Sequence, residues 1–239
     1  MTKATGSRTG GIRLVVASGN AHKVSELAGM LGDALGRGTC NVVGLAKCVR
    51  KYGPVPDIEE TAADFVGNAA LKAQGIAAWL HERGEPGGTR VLADDSGVCV
   101  DGLDGRPGVL SARFCGHHGS DADNNAKLVQ ELTARELTES PAHYACVLAL
   151  CRVDGRALPG SNPLMTFHGR WDVVARVTPR GDGGFGYDPH CWLQDADQTV
   201  AELTAEAKAK LSHRGAAFGK LVSWWKPGRV VRASPAKDC

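Results

Sequence analysis

The sequence predicts an α/β fold built around one mixed β-sheet. In the first half of the chain, apolar runs typical of buried strands alternate with amphipathic helical segments. In the second half, two long strand candidates, residues 142–153 and 165–177, follow one another through a turn-rich connection. Strands that alternate with helices favour parallel pairing and consecutive long strands favour antiparallel pairing, so we expect both kinds in the sheet.

The first half of the chain supplies two strands and two helices in this prediction. A continuous apolar run at residues 12–18 indicates a buried strand, and the helix after it has apolar residues at helical spacing. A short strand is expected at 41–45, and a Pro-rich loop then leads to a helix over 61–84. Thr61 and Asp64 open that helix with a capping-box pattern in which Asp replaces Glu. The predicted core-facing residues are Val24, Leu27, Ala28 and Leu31 in the first helix and Phe65, Ala69, Ala73, Ile76 and Leu80 in the second.

The second half continues with a strand at 89–95 and a helix at 120–137 that starts with a Ser-x-x-Asp cap. After the two long strands, residues 178–190 form a glycine-rich loop, and an amphipathic helix over 204–225 ends the pattern. The residues of this last helix that are expected to face inward are Leu211, Phe218, Leu221, Val222 and Trp225.

The composition limits the compartment and the partners. The 239 residues are 43% hydrophobic and 23% charged, as in ordinary soluble domains, and no run approaches the length of a membrane span. The polar, Gly-rich start lacks the apolar core of a secretory signal, so we expect a cytoplasmic protein that needs no membrane. A net charge of +2 without a Lys/Arg run argues against a nucleic-acid partner. We expect one domain over residues 12–225, with flexible tails at 1–11 and 226–239.

Eight cysteines are scattered along the chain, and none forms a C-x-x-C pair. Several lie inside apolar runs, which favours buried, reduced thiols of a cytosolic protein. Cys115, His117 and His118 suggest a zinc site, but no second ligand group follows at the spacing that zinc sites use. Buried thiols are therefore the favoured interpretation.

Residues 18–23 join the first strand to the first helix and are a candidate anion site. Small polar residues at this junction place backbone N–H groups at a helix N-terminus, where an anion is favoured. The alternative is a plain connection that ends in a solvated lysine, and spacing alone does not separate the two. The segment consists of Ser18, Gly19, Asn20, Ala21, His22 and Lys23.

Two pairs of carboxylates are candidates for metal binding. Asp94 and Asp95 stand together at the predicted end of a buried strand, and Glu59 and Glu60 precede a helix. Adjacent like charges at the edge of a core usually have a cationic partner, and oxygen ligands of this kind suit Mg²⁺ rather than Zn²⁺. The alternatives are turn chemistry before Ser96 for the aspartates and a favourable helix dipole for the glutamates.

Two further segments complete a set of groups suited to a nucleoside triphosphate. Residues 181–189, GDGGFGYDP, combine four glycines with the ring of Phe185, which could stack on a base. Residues 212–215, SHRG, place an imidazole and a guanidinium in a helical pattern. Each segment alone could be an ordinary hairpin turn or a solvated helix face. Together with the anion loop, the lysines and the carboxylates, they predict a triphosphate site that uses Mg²⁺ as its cofactor.

Five segments together resemble the inosine triphosphate pyrophosphatase family, the Ham1-like enzymes. They are SGNAHK (18–23), EETAADFVGNAALKA (59–73), LADDSGVCVDGLDGRPGVLSARF (92–114), GGFGYDP (183–189) and AELTAEAKAKLSHRG (201–215). The resemblance covers residues 12–225. It implies a long curved mixed β-sheet flanked by helices, with two lobes and a central cleft. It also implies a homodimer that uses Mg²⁺ to hydrolyse ITP, dITP and XTP to the monophosphate and pyrophosphate.

The resemblance implies a role for each candidate residue. Residues 18–23 resemble the triphosphate loop, with direct contacts from Asn20 and Lys23. Glu60, alone or with Glu59, resembles the metal-binding glutamate. Asp95 resembles the catalytic carboxylate, which binds the metal and accepts a proton. The residues that resemble substrate contacts are Lys72 and Lys208 near the phosphates or substrate, Ser96, Phe185, Gly186, Tyr187 and Asp188 around the base and sugar, and His213 and Arg214 at the 6-oxo edge of the purine.

The chain departs from the family pattern in two places. Two other functions are also compatible with the candidate residues. Gly67 stands where the family often has Glu, and residues 188–192, DPHCW, replace the usual apolar residues after the proline. A nucleotide-binding protein without catalysis would keep the pocket but would not need a carboxylate that activates water. A phosphatase would release single phosphates instead of pyrophosphate. The sequence does not rank ITP, XTP and dITP as substrates.

Overall fold

The computed structural model describes residues 12–18, 21–35, 40–116, 120–158 and 162–225. The predicted tails, at 1–11 and 226–239, lie outside the described residues. So do His117 and His118 of the alternative zinc site. None of the described helices is long and apolar enough to cross a membrane.

One mixed sheet of six strands organises the described part of the chain. Its spatial order is β2-β1-β3-β4-β5-β6. Strand β1 pairs in parallel with β2 and β3, whereas the β3–β4, β4–β5 and β5–β6 pairs are antiparallel, which confirms the predicted α/β class with a mixed sheet. The strands are β1 (Ile12–Val16), β2 (Cys40–Gly44), β3 (Arg90–Val100), β4 (Glu139–Arg152), β5 (Leu164–Arg176) and β6 (Cys191–Leu193). The short β6 was not predicted.

Strand β3 does not end at Asp95, as the sequence suggested. The Ser96-Gly97 pair is typical of a turn, but here both residues continue the antiparallel ladder, opposite Cys146 and Ala145 of β4. Gly97 serves close packing instead, because a Cβ at this position would lie 2.3 Å from the Ser111 hydroxyl oxygen. The two aspartates therefore lie in the middle of a long strand and not at its end.

Six α-helices of the described ranges flank the sheet: α1 (Ala21–Leu35), α2 (Leu45–Tyr52), α3 (Phe65–Glu82), α4 (Asp121–Ala134), α5 (Ala205–Leu211) and α6 (His213–Trp225). Helix α2 was not predicted. The N-cap of α3 is Asp64 and not Thr61, because the Asp64 carboxylate accepts the Gly67 N–H at 2.6 Å. The predicted Ser-x-x-Asp cap of α4 is confirmed as a full capping box between Ser120 and Asp123.

The predicted final helix is two helices, divided at Ser212. This residue is extended, with φ −69° and ψ 156°, and its hydroxyl accepts the Gly215 N–H at 3.1 Å, as an N-cap does. The break turns Leu211 outward, where it is 53% exposed, so the prediction that Leu211 faces inward is wrong. The other four residues predicted to face inward are buried.

Three apolar clusters divide the long strands into two halves. On one face, α2 and α3 cover β1 and the adjoining halves of β3 and β4. On the opposite face, α1 and α6 cover the same halves. The third cluster packs α4 against the other halves of β3, β4 and β5. The middle of the sheet, where Asp94 and Asp95 lie, is where these two halves meet.

Candidate active site

Asp94 and Asp95 send their side chains to opposite faces of the sheet, because neighbouring residues of a strand alternate. Ala93 packs in the cluster under α3, and Asp95 shares that face. Leu92 packs in the cluster under α6, and Asp94 shares that other face. The two adjacent negative charges are therefore separated by the sheet, and each meets a different set of cations.

Asp95 is a buried carboxylate with incomplete partners. It is 9% exposed, and its Oδ2 atom is buried without a hydrogen-bond partner in the described part of the chain. The side chain of Asn68 donates to the carboxyl group, because the Asn68 Oδ1 is already occupied by the Ala62 N–H at 2.9 Å. Burial raises the pKa of Asp95 to about 6, and the negative charges of Glu60 and Asp94 add to the rise while the charge of Lys72 opposes it.

Lys72 connects the acidic groups from α3. Its Nζ lies 3.1 Å from Glu60 Oε1 and donates to the backbone carbonyl of Asp94 at 3.1 Å. The segment before α3 is also held by Arg113, which donates to the Glu60 carbonyl at 3.4 Å. Glu59 is exposed. The structure therefore brings Glu60, Lys72 and Asp95 together on one face of the sheet.

The oxygen atoms of this group fit a hard divalent cation. No group of three His, Cys, Asp or Glu side chains within the described ranges could alone hold a metal ion. Mg²⁺ does not require such a group, since it is commonly bound by one or two carboxylates together with substrate phosphates. Glu60 and Asp95 supply two carboxylates, and the unpartnered Asp95 Oδ2 is an available ligand atom.

Arg214 approaches the opposite face from the first turn of α6. It is 4% exposed, and its Nη2 lies 3.6 Å from Asp94 Oδ2 and 3.3 Å from the Ser96 hydroxyl. Its Nε is buried without a hydrogen-bond partner among the described residues. A buried guanidinium with an unused donor can bind an acceptor on a ligand.

Phe185 presents its ring beside two cations. The residue is 55% exposed, Lys208 Nζ lies 4.0 Å from the ring centroid, and the Arg214 guanidinium carbon lies at 5.8 Å. Asp188, which is 2% exposed, accepts the Phe185 N–H at 2.8 Å and forms an ion pair with Lys208. The predicted base pocket residues thus lie together, and Lys208 lies with them and not with Glu60.

Loop 181–188 contains three glycines with positive φ and is held by groups from α4. Asp121 accepts the Gly186 N–H at 2.6 Å, and Asn125 donates to the Gly186 carbonyl at 2.9 Å. A Cβ at Gly184, whose φ is +74°, would lie 2.0 Å from Asp188 Oδ2. Tyr187 is buried and donates to the Ser111 carbonyl at 2.8 Å, so its ring forms part of the wall and not of the surface.

The triphosphate loop is described only at its edges. Ser18 follows β1, and its N–H donates to the Val16 carbonyl at 2.9 Å. Gly19 and Asn20 lie outside the described residues, as do the side chains of Ala21, His22 and Lys23, although the backbone of these last three begins α1. Phosphate binding by residues 18–23 therefore stays a prediction.

Sequence reasoning missed four residues that shape the site: Asn68, Asp121, Asn125 and Tyr144. Asn68 is 1% exposed and adjoins Ala69 on the core-facing side of α3. An amide next to the apolar stripe of a helix is unusual, because a buried polar side chain needs a partner. That signal could have identified Asn68. The other three act through loop 181–188 or through buried contacts, and local spacing does not reveal these.

The chain is similar to known proteins over most of its length. It is 40% identical over 210 residues to a dITP/XTP pyrophosphatase of Streptomyces avermitilis, covering 88% of this chain and 95% of that protein. It is 41% identical over 209 residues to a dITP/XTP pyrophosphatase of Geobacter sulfurreducens, covering 87% and 94%. The structure of a HAM1 protein from Coxiella burnetii superimposes with a TM-score of 0.74 at 33% identity and covers 89% of this chain and 98% of that chain. Residues 14–224 match the Ham1 family, and the chain therefore belongs to that family.

Proposed function

We propose that this protein hydrolyses the non-standard purine nucleotides ITP, dITP and XTP to the nucleoside monophosphate and pyrophosphate, and so removes them from the nucleotide pool. The relatives described above are named for this reaction on dITP and XTP. The observation that carries the proposal is the buried Asp95, whose Oδ2 has no hydrogen-bond partner among the described residues and which lies near Glu60 and Lys72.

Asp95 acts as the general base in this proposal. A water molecule attacks the α-phosphorus, its proton passes to the Asp95 carboxylate, and the bond from the α-phosphorus to the bridging oxygen breaks. Pyrophosphate leaves with that oxygen. A carboxylate whose pKa is raised to about 6 is a stronger base than an exposed Asp and still ionised at neutral pH, as general-base catalysis requires. Lys72 stabilises negative charge that develops near the carboxylates.

Mg²⁺ is the proposed cofactor, held by Glu60 and Asp95. When bound there, Mg²⁺ would neutralise negative charge on the phosphate oxygens. Residues 18–23 bind the triphosphate, because the N-terminus of α1 offers backbone N–H groups and Lys23 lies in its first turn. Ser96 lies on the opposite face of β3, where it contacts Arg214 of the base pocket.

The base pocket selects a 6-oxo purine through Arg214 and its neighbour His213. Arginine has only donors, so it can bind the 6-oxo oxygen of hypoxanthine or xanthine but not the 6-amino group of adenine. Phe185 stacks on the base, and the ammonium of Lys208 lies over the Phe185 ring. Guanine shares the 6-oxo group, so its rejection depends on the 2-amino edge, which we assign to the wall formed by residues 185–188.

The protein is also proposed to be a cytoplasmic homodimer. None of the seven cysteines within the described ranges forms a disulfide, which suits a reducing compartment. The dimer is an expectation from the family resemblance, and sedimentation equilibrium at micromolar protein concentration tests it.

Product analysis tests the proposed function against both rivals. The purified protein is incubated with ITP, dITP, XTP, ATP and GTP in the presence of Mg²⁺, and the products are separated by ion-exchange chromatography. Monophosphate and pyrophosphate from the first three substrates support the proposal, stepwise release of phosphate supports a phosphatase, and no turnover supports a binding protein. EDTA should abolish the reaction and added Mg²⁺ should restore it. Full turnover in chelator would contradict the assigned cofactor.

A further inference from the structure

Three aromatic rings are stacked between the two halves of the sheet. Tyr144 of β4 is 7% exposed, and its ring contacts those of Trp171 of β5 and His213 of α6. The Tyr144 and His213 rings are 4.9 Å apart and almost parallel, with an angle of 7° between their planes. The Tyr144 and Trp171 rings are 6.0 Å apart with an angle of 29°. His213 is therefore stacked on a ring that also contacts Trp171.

The Tyr144 hydroxyl has a second partner in the base pocket. It donates to Asp188 Oδ1 at 2.9 Å, while Asp188 Oδ2 accepts the Phe185 N–H and pairs with Lys208. Lys208 in turn lies over the Phe185 ring. The hydroxyl thus anchors the carboxylate that orders the stacking ring and its cation.

We infer that Tyr144 is a positioning residue for purine recognition. Its ring sets the orientation of His213 and the first turn of α6, and its hydroxyl sets Asp188 and through it Phe185. This inference rests on the proposed function. It adds a residue that does not touch the substrate but fixes both sides of the base pocket relative to each other.

The backbone in the first turn of α6 is also restricted, so the ring of Tyr144 can set the orientation of the His213 side chain. A Cβ at Gly169 of β5 would lie 1.8 Å from the His213 carbonyl oxygen, so the backbone of α6 rests directly on the strand. The backbone is fixed by this contact, and the His213 side chain is fixed by Tyr144. Removing the ring would remove the stacking contact of His213 beside Arg214, and we expect the two side chains to align less well with one base edge.

The ring and the hydroxyl have separable effects, which Tyr144→Phe and Tyr144→Leu distinguish. Tyr144→Phe keeps the stacked ring and removes one hydrogen bond to a charged group. We expect KM to rise about 3–10-fold for dITP, XTP and dATP alike, with the preference for dITP over dATP unchanged. Tyr144→Leu also removes the stacking, and we expect the dITP/dATP ratio of kcat/KM to fall about tenfold.

Trp171→Leu is the matched control, because it removes the other ring that stacks on Tyr144 and keeps the contact between Tyr144 and His213. Its loss of folding stability should resemble that of Tyr144→Leu, whereas the dITP/dATP ratio should stay within about threefold of the parent. The measurements are steady-state kinetics on the three substrates, thermal unfolding, and equilibrium binding of inosine monophosphate. A purely structural role would lower kcat/KM on all substrates by the same factor in Tyr144→Leu, and it would leave KM and the affinity for inosine monophosphate unchanged in Tyr144→Phe.

The outcomes separate this inference from the proposed function. A parent enzyme that treats dITP and dATP equally overturns the proposed function and the inference with it. If the parent prefers dITP over dATP, two results overturn the inference alone. The first is a Tyr144→Leu variant that keeps this preference. The second is a Trp171→Leu variant that loses the preference as much as Tyr144→Leu does. Should Tyr144→Leu not fold, Tyr144→Phe decides: unchanged KM values and unchanged affinity for inosine monophosphate would refute the role of the hydroxyl.

Discussion

Replacing Asp95 by Asn should stabilise the metal-free protein while it destroys activity. The parent carboxyl has its pKa raised to about 6 from the ordinary value of 3.8, so folding holds the proton more tightly than the unfolded chain does. Stability linked to this group is therefore fully present below pH 3.8 and is lost as the pH rises through about 6. At pH 8 the folded protein carries an ionised, buried carboxylate at a cost of up to about 3 kcal/mol, taken at about 1.4 kcal/mol per pKa unit.

The Asp95→Asn side chain keeps the shape and avoids the charge at every pH. We expect the variant to be about 1–3 kcal/mol more stable than the parent at pH 8 in EDTA, which for a chain of this size raises Tm by about 2–10 °C. The gain should fall to about a third by pH 4.5, where the folded parent is already protonated. Added Mg²⁺ should stabilise only the parent and so reduce the difference.

Thermal unfolding across pH 4.5–8, in EDTA and in Mg²⁺, measures all three effects. Glu59→Gln removes the same charge from an exposed side chain and serves as the control, with no gain expected. Activity of Asp95→Asn should fall by about 10²–10⁴-fold. A variant that is no more stable than the parent at pH 8, or whose advantage does not depend on pH, would refute the argument that Asp95 is ionised against its environment. Activity within about threefold of the parent would show that another carboxylate is the base.

Four other substitutions test the remaining contacts. Lys72→Met removes the cation that lowers the pKa of Asp95, so the acid limb of the pH profile of kcat/KM should move to higher pH; an unmoved limb contradicts this. Arg214→Ala should lower kcat/KM for ITP by at least about 100-fold and change that for ATP little, whereas equal losses in steady-state kinetics would exclude base recognition. Gly67→Ala should destabilise the protein by about 1–3 kcal/mol, because the new Cβ would lie 2.4 Å from the Ala62 Cβ, and a higher Tm would show that this segment yields easily. Glu85→Gln should lower the free energy of unfolding in urea by about 2–4 kcal/mol at pH 7, because buried Glu85 accepts a hydrogen bond from Tyr52 at 2.6 Å. Burial alone would raise the pKa of Glu85, but its hydrogen bonds outweigh burial and hold this pKa low. The loss of stability should therefore shrink as the pH falls through the pKa of Glu85.

Local patterns in the sequence predicted most of the elements, and they suggested candidate site residues without describing how these residues are arranged. Core-facing residues of α3 and the cap of α4 follow from periodicity and capping rules, which act within a few residues. The break between α5 and α6 at Ser212 was not predicted, because the helical periodicity continues on both sides of Ser212 and hides its role as an N-cap. Contacts such as Asn125 with Gly186 join residues 61 positions apart, so no local rule describes them.

The position of Asp94 and Asp95 shows how one boundary error changes a site. The sequence predicted that the strand ends at Asp95. In that prediction both carboxylates lie together, and one cation is needed for both. In the structure the strand continues through Ser96 and Gly97, so its side chains alternate between the two faces of the sheet. Asp94 and Asp95 therefore carry their charges on different faces. Asp95 faces Lys72 and the expected metal, whereas Asp94 pairs with Arg214.

Asp95 is the residue at which folding and function conflict most directly. Its neighbours on the same face of β3, Val91 and Ala93, are fully buried, and an apolar residue in the next inward position would continue the core. Lys72 cannot fully offset the buried charge, because its ammonium also pairs with Glu60 and donates to the Asp94 carbonyl. The carboxylate therefore keeps an oxygen without a hydrogen-bond partner among the described residues. Such a group costs stability unless a cation occupies the remaining ligand position, which explains why a metal and a proton should compete for Asp95.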